Sequence, residues 1–480
     1  MHSNISRRLR RQLLLNSLFV PTAILVVCTL CISLSTRAMG KEPGVRVGLS
    51  RTCITPKESL WMAGYSGRKQ PSQGVRDDLL AQAMAFEDTH GNRALLFSID
   101  ICVLRTPTVN SICKQISERT GLQRRQILVN LSHTHSGPAV DFLDADFYPI
   151  TPQGRKKLEA YTEKLKAQLV DLAAKALADL RPARLHYGVG KATFFENRRL
   201  LDKNGRYVGM RANPNNHTDR DVPVLRVQTP EGDVRAMVFG AACHNVTFGT
   251  ANLRISADYA GAARRYIEKQ LPGARAFFVT GCGADANPEP YGRKDAEQWV
   301  EQHGESLGKE VLRVNSGAMR PVAGPLRTAF AWVDLPLRKT PSRVELEKML
   351  SAPHAKAYVA RQMLKALDRG ESLPTKFTIP LSVWQFGDSL SLVGLPEETV
   401  SEYVPLLKQA LGAEGLWTAG YCNDVSGYLP TKKIIREGGY EDRGLFGPDL
   451  GFFAPETEKI VVQSVRKLAE QAGRQSPNNK

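Results

Sequence analysis

The segment QILVNLSHTHSGP, Gln126 to Pro138, runs from an apolar, β-favouring stretch straight into a polar turn. The same change recurs along the chain. Ala94–Ile99 (ALLFSI) runs into Asp100, Ala236–Ala241 (AMVFGA) into ACHN, Ala276–Thr280 (AFFVT) into GCGADANP, and Leu390–Gly394 (LSLVG) into LPEET. Between these runs lie amphipathic stretches that predict helices over Gly154–Leu177, Asp258–Gln270, Lys294–Val314 and Thr399–Leu411. A last helix is expected over Glu456–Ala472, and a solvated helix pair over residues 340–370. Strand, polar turn, helix is the α/β pattern, here with a mixed β-sheet core and flanking helices. Ligands of such sheets gather at the carboxyl ends of the strands, where this chain repeatedly places His, Asp and Glu.

His133-Thr134-His135 is the sharpest of these strand ends. In an extended segment both rings point the same way. Neutral imidazoles there can ligate zinc or move a proton, and they can equally be structural or merely exposed. His244 lies at a second strand end, between Cys243 and Asn245, and Glu397-Glu398 follow Pro396 at a third. On the first turn of a helix the free N–H groups favour a charged carboxylate, although capping explains an acidic pair as well. Two His and one carboxylate form a common catalytic zinc set. Periodicity cannot bring Glu398 to His133, so a metal hydrolase and a structural reading stand level. The dinucleotide fingerprint, the phosphate loop and the GxSxG elbow are absent, which excludes those readings.

The 480 residues, 42% of them hydrophobic, exclude a small disulfide module and a disordered tail. Lys plus Arg number 65 against 48 acids, a formal +17. The basic residues are spread out and aromatics make up 7%, so no nucleic-acid stripe is expected; attraction to an anionic surface such as lipid headgroups suffices. Part of the excess is N-terminal. Arg7, Arg8, Arg10 and Arg11 precede an apolar run from Leu13 to Leu34, and Thr36-Arg37-Ala38 resembles a cleavage site. Residues 1–38 are therefore either a cleaved export signal or a retained N-terminal anchor, with an exported (secreted or periplasmic) body. Six cysteines lie beyond the leader and could form disulfides or equally be isolated buried thiols; Cys243 and Cys282, beside possible site residues, are the pair to inspect first.

Ordered motifs then carry a resemblance. They are CITPKESLWMAGY (Cys53–Tyr65), GVRDDLLAQAMAFED (Gly74–Asp88), LSHTHSGP (Leu131–Pro138), ENRR (Glu196–Arg199) and TDRDVPVLRV (Thr218–Val227). They continue with CHNVTFG (Cys243–Gly249), SADYAG (Ser256–Gly261), GCGADANP (Gly281–Pro288), GLPEET (Gly394–Thr399) and GYCNDVSGYLPTKKIIREGGYE (Gly420–Glu441). From about Val45 to Glu458 the chain resembles the catalytic domain of the neutral, non-lysosomal ceramidases. The resemblance implies a zinc ion at the base of a pocket, at the carboxyl ends of strands, held by His133, His244, Glu398 and Tyr428. It places His135 as a second site His, Tyr440 facing the reacting carbonyl, and the active-site Arg on Arg198, with Arg199 adjacent. Glu397 stands where the family has Gly. Asn287 stands where the family has a Ser with an assigned catalytic role, and Asn cannot form an acyl-enzyme ester. The family's extra C-terminal β domain is not expected, so residues 39–475 are read as one hydrolase domain.

The resemblance implies hydrolysis of the amide of an N-acylated, ceramide-like lipid (N-acylsphingosine to sphingosine and fatty acid), and Asn287 in place of that Ser directs the expected chemistry through attack of zinc-bound water. His135 would relay the proton, and Tyr440 and Asn287 would donate to the oxyanion. Asp285 is read as orienting a metal-bound His, with a turn cap as its plain alternative. No specific protein partner is expected. Two other readings stay open: a zinc hydrolase of another amide or an ester, and a non-catalytic lipid- or surface-binding protein.

Overall fold

The computed structural model describes residues 45–141, 148–352, 354–445 and 450–475. Two sheets dominate. In the first, β1 (Val45–Cys53), β2 (Leu80–Glu87), β3 (Arg93–Ile99), β4 (Ile127–Leu131), β5 (Arg181–Lys191), β6 (Asp221–Gln228), β7 (Val234–Ala241) and β8 (Arg275–Thr280) lie in the order β8-β7-β6-β5-β1-β2-β3-β4. A short β9 (Arg320–Val322) also pairs with β5. Within that order only β3 with β4 and β7 with β8 are parallel. The second sheet is β10 (Leu326–Pro336), β11 (Lys376–Phe386), β12 (Leu390–Gly394) and β13 (Leu416–Ala419), with β12 and β13 parallel. The helices are α1 (Thr106–Thr120), α2 (Pro152–Ala178), α3 (Asp258–Gln270), α4 (Ala296–Ser316), α5 (Arg343–Met349), α6 (His354–Asp368), α7 (Tyr403–Leu411), α8 (Lys432–Glu437) and α9 (Thr457–Gln471).

The apolar runs are continuous because both of their faces are buried. Leu95, Phe97 and Ile99 of β3 pack with Val109, Ile112 and Ile116 of α1 and Leu165 and Leu169 of α2. Ala94 and Leu96, pointing the other way, join Trp384, Leu392 and Trp417 of the second sheet. On β7 and β8, Phe239 and Phe278 take Tyr259 of α3 and Leu307 of α4. The far face of the second sheet, with Ile379, Leu381 and Val383, buries Val461, Val465 and Leu468 of α9. Helix, sheet, sheet, helix is the resulting layering. The α2 stripe is amphipathic as expected, and Thr151 caps its start by accepting from the Gly154 amide at 3.1 Å.

One buried polar residue brings the strand ends together. Asn130, within the apolar β4, accepts from the Thr280 amide at 2.9 Å and donates to the Gly420 carbonyl at 2.8 Å. The carboxyl ends of β4, β8 and β13 thereby meet. Asp100, after β3, takes the Leu80 amide at 2.8 Å and Arg264 of α3 at 3.0 Å, fixing that helix against the sheet.

Two expectations change, and one open reading closes. The helix expected from Thr399 starts at Tyr403, because Glu398-Thr399 pairs in parallel with Tyr428-Leu429 as a short strand. Cys243 and Cys282 are both buried free thiols. The membrane-anchored reading is also corrected: among the described residues no helix is long and apolar enough to cross a membrane. The Leu13–Leu34 run that prompted it lies outside the described residues.

Candidate active site

His133 follows β4 in a left-handed conformation, φ 56°, so the segment is not extended as the sequence suggested. The turn, not the strand period, brings the His133 and His135 rings together, with centroids 4.8 Å apart and planes at 74°. His244 follows β7. Gly283 lets the loop after β8 lie against it, since a Cβ there would sit 2.3 Å from the Cys243 amide nitrogen. The Nδ1 atoms of His133 and His244 donate to the carbonyls of Cys102 and Gly283, at 2.8 and 2.9 Å. A carbonyl cannot donate, so both rings carry their proton on Nδ1 when neutral and turn Nε2 inward.

Those inward atoms meet one carboxylate oxygen. Glu398 Oε2 is 3.0 Å from His244 Nε2 and 3.4 Å from His133 Nε2. Ligands about 2.0–2.1 Å from a tetrahedral zinc lie roughly 3.3 Å from one another, so the spacing and the donor types fit that ion. His135 Nε2 is a further 3.1 Å from His133 Nε2, a distance that suits either a ligand or a proton carrier. Neighbouring residues bear different loads: Glu397, also buried, turns its Oε2 to the amides of Ser426 and Gly427 at 2.6 and 2.7 Å.

Arg198 organises the opposite wall. It donates to Glu441 at 2.9 Å, to Asn287 Oδ1 at 3.1 Å and to the Tyr428 hydroxyl at 3.1 Å. Arg199 turns away, to Glu441 and to Glu437. The pair left adjacent by the sequence is therefore separated by the structure: Arg198 lines the pocket, and Arg199 braces it from behind. With Arg198 bonded to its Oδ1, Asn287 keeps Nδ2 as the end able to donate. Tyr440 lies edge-on to Tyr428, with ring centroids 5.8 Å apart.

Asp285 does not meet either imidazole in the way its sequence position suggested, because the backbone carbonyls of Cys102 and Gly283 already take the ring N–H groups. Its oxygens accept from Asn197 Nδ2 at 2.8 Å and from the Ser401 amide and hydroxyl at 2.7 and 2.9 Å. Its backbone carbonyl takes the Arg198 amide at 2.7 Å. It positions the Arg198 segment.

The cavity between these walls spans about 750 Å³ including its open mouth. His133, His135, His244, Glu398, Arg198, Asn287, Tyr428 and Tyr440 all line it. Several residues around the site were not singled out individually in the sequence. Tyr65 packs edge-on against His135, centroids 4.7 Å apart. Gly64, at φ +98°, could not carry a side chain, since its Cβ would lie 2.3 Å from the His135 ring. Arg68, 3% exposed, donates to the carbonyls of Ala63, His135 and Asn252. Arg443 lies over Tyr440 at 3.9 Å and over Tyr428 at 4.5 Å. The YxxxxxxxxxxxYEDR spacing of Tyr428 to Arg443 was the only available hint of it.

The electrostatics favour a positive charge among the His133, His244 and Glu398 atoms. Burial opposes charging Glu398, yet His133 and His244 hold its carboxyl well below the usual range. Burial likewise opposes charging His133, and Cys102 and Glu398 outweigh it and lift the ring to about 10. Burial and then Arg198 pull His244 down to about 4, and burial with the neighbouring His133 and His244 pushes His135 well below its ordinary value. A divalent cation among these atoms would satisfy the same field.

Comparison with known proteins agrees with this architecture. The family described as neutral/alkaline non-lysosomal ceramidase, N-terminal, matches residues 45–336. Neutral ceramidase of Pseudomonas aeruginosa is 24% identical over 500 residues, covering 89% of this chain and 73% of the relative. Neutral ceramidase B of Dictyostelium discoideum is 27% identical over 216 residues, covering 44% of this chain and only 30% of the relative. The fold is also similar to the crystal structure of the Pseudomonas aeruginosa neutral ceramidase, with TM-score 0.67, 20% identity, and 89% and 74% of the two chains covered. A ceramidase complexed with C2 gives TM-score 0.68 at 18% identity, covering 90% and 76%. With more than half of its length matched by the family and the same fold over most of the rest, the chain belongs to the neutral/alkaline non-lysosomal ceramidase family.

Proposed function

We propose that this protein is a zinc-dependent amidohydrolase that cleaves the amide of an N-acylated, ceramide-like lipid. The observation that carries the reading is the meeting of His133 Nε2, His244 Nε2 and Glu398 Oε2 at 3.0–3.4 Å in the wall of an open pocket. Zinc held by His133, His244 and Glu398, with Tyr428 as fourth ligand, would lower the pKa of water to about 7 and polarise a carbonyl. His135, kept neutral by burial and by its neighbours, accepts a proton on Nε2 and returns it to the departing amine. Tyr440 and the Asn287 amide donate to the oxygen that gains charge in the transition state. Arg198 locks Asn287 and Tyr428 in register, and Asp285 holds the Arg198 segment through Asn197 and its own carbonyl. A lipid substrate also implies peripheral contact with an anionic membrane surface.

The test pairs elemental analysis of protein prepared without added metal with hydrolysis of a panel of N-acyl lipids, the fatty acid and amine being read by mass spectrometry. About one zinc per chain and amide cleavage are expected. Zinc with cleavage of esters or unrelated amides only would move the reading to another zinc hydrolase. Folded protein that takes up no zinc and cleaves nothing would leave a lipid- or surface-binding role.

A further inference from the structure

One wall of the pocket continues into a surface hairpin. Arg199–Leu201 and Tyr207–Met210 form a two-stranded ribbon whose first strand follows Arg198 directly and whose second ends on Met210, both pocket-lining residues. Its base is fixed: Arg199 is fully buried against Glu441 and Glu437, and Asn213 Nδ2 donates to the Arg199 carbonyl at 2.8 Å. Its tip is fixed too. Asp202 Oδ1 accepts from the amides of Asn204 and Arg206 at 2.8 and 2.9 Å, and Gly205 takes φ +73°. Between base and tip, Leu200 is 36% exposed and Val208 is 57% exposed.

Moving these two aliphatic side chains out of water is favourable by about 25 cal/mol for each Å² buried. The charges around it select the cover. Lys203, Arg206 and Arg211 are exposed on the same segment, and the one acid, Asp202, is spent on the turn. Apolar residues interleaved with cations match an anionic bilayer surface, in which the aliphatic groups enter the headgroup boundary and the cations meet the phosphates.

We propose that the 199–211 hairpin is a membrane-docking element that seats the pocket on anionic phospholipid. The inference deepens the lipid-amidase reading, on which it rests for a bilayer, not a protein, as partner. The experiment uses the full chain and vesicles of phosphatidylcholine with and without phosphatidylglycerol. Sedimentation should show tighter partitioning onto the anionic vesicles, weakened by salt. Lys203→Gln with Arg211→Gln should weaken it about 30-fold, from roughly 1 kcal/mol per basic residue at the surface. Leu200→Asp with Val208→Asp should weaken it at least about tenfold. Both variants should keep the wild-type melting temperature, zinc content and turnover of a water-soluble short-chain N-acyl substrate, while losing turnover of the same amide in vesicles. Partitioning unchanged in both variants overturns the proposal. So does equal wild-type affinity for neutral and anionic vesicles. An enzyme inert on every amide whose hairpin-dependent partitioning persists would support the docking element while rejecting the hydrolase reading.

Discussion

Glu441→Gln isolates the residue on which the opposite wall of the pocket depends. Its side chain is fully buried and receives Arg198 Nε at 2.9 Å and a second contact from Arg199 Nη1. Burial opposes its charge, but Arg198 and Arg199 hold its carboxyl below the ordinary 4.5. The amide keeps shape and one acceptor and removes the charge, leaving Arg199 with Glu437 as its carboxylate and Arg198 with only the neutral Asn287 and Tyr428 as hydrogen-bond acceptors. Breaking a buried pair from one side costs about 3–5 kcal/mol. At roughly 2.1 cal/mol/K per residue over about 430 residues, 4 kcal/mol lowers the melting temperature by about 4 °C. Activity should fall further than stability explains, because Arg198 no longer holds Asn287 and Tyr428. Denaturant titration with kinetics on one N-acyl substrate reads both effects. Removing Arg198 as well (Arg198→Met with Glu441→Gln) restores the charge balance, so the double variant should be less destabilised than the sum of the singles by about 1–3 kcal/mol. The sign of the pH dependence follows: a depressed carboxyl contributes stability above 4.5 that is lost as pH falls through its folded value, and the variant lacks that loss. Additivity within about 0.5 kcal/mol, or an unchanged melting temperature, would refute the reasoning.

Replacing His244 with Ala should lower zinc occupancy and turnover together, as read by elemental analysis and kinetics on the same sample; full activity without bound metal rejects the ligand set. His135→Ala should abolish turnover and keep zinc if His135 carries the proton, whereas loss of zinc would make it a ligand through its 3.1 Å approach to His133. Asn287→Ala and Tyr440→Phe should each cost about 10²–10³ in turnover with zinc retained, and Asn287→Ser should keep partial activity; unchanged turnover in Asn287→Ala would reduce that residue to a turn cap. His303, pulled by burial from 6.5 to about 4, should cost the fold stability as pH falls from 6.5 towards 4, by up to about 3 kcal/mol, and His303→Gln should flatten that slope in denaturant titrations at pH 7 and 5.

The strands that carry the site were legible because burial on both faces leaves unbroken apolar runs, as in ALLFSI and AFFVT. The antiparallel majority of the first sheet was less so. β5 alternates buried and half-exposed positions, and β1 is short on large apolar side chains, so neither stands out from the helical stretches around it. His133, His244 and Glu398 could be picked out singly, since each follows a strand. Their meeting requires the strand ends of the two sheets to come together, as Asn130 brings those of β4, β8 and β13, and no periodicity reports such contacts. Glu398 was read as held charged by a helix terminus. It is instead held by two imidazoles, because the chain pairs with Tyr428 before the helix begins.

The backbone at the floor of the site explains why turn signals failed there. His133, Glu397, Tyr421 and Asn423 all lie in the left-handed region, at φ 56°, 60°, 54° and 67°, and none is Gly. Such residues cost about 1–2 kcal/mol each, and a local sequence reading assigns those conformations to Gly. They persist here because the surroundings over-determine them. The Glu397 amide donates to Asp424, the Tyr421 amide to Glu397, and the Asn423 amide to Val129 of β4. Tyr421 also packs its ring 4.6 Å from that of His133. Gly at any of these positions would relax the backbone but remove a side chain that the floor uses: an imidazole facing Glu398, a carboxylate clamping Ser426 and Gly427, an aromatic wall behind His133, or the Asn423 amide oxygen that accepts from the Val129 amide at 3.1 Å. The left-handed turns let consecutive residues leave a strand end in opposite directions, so Glu397 can brace the loop while Glu398 faces the imidazoles. The local strain is thus a consequence of building the site directly on strand ends, without a flexible loop between sheet and chemistry.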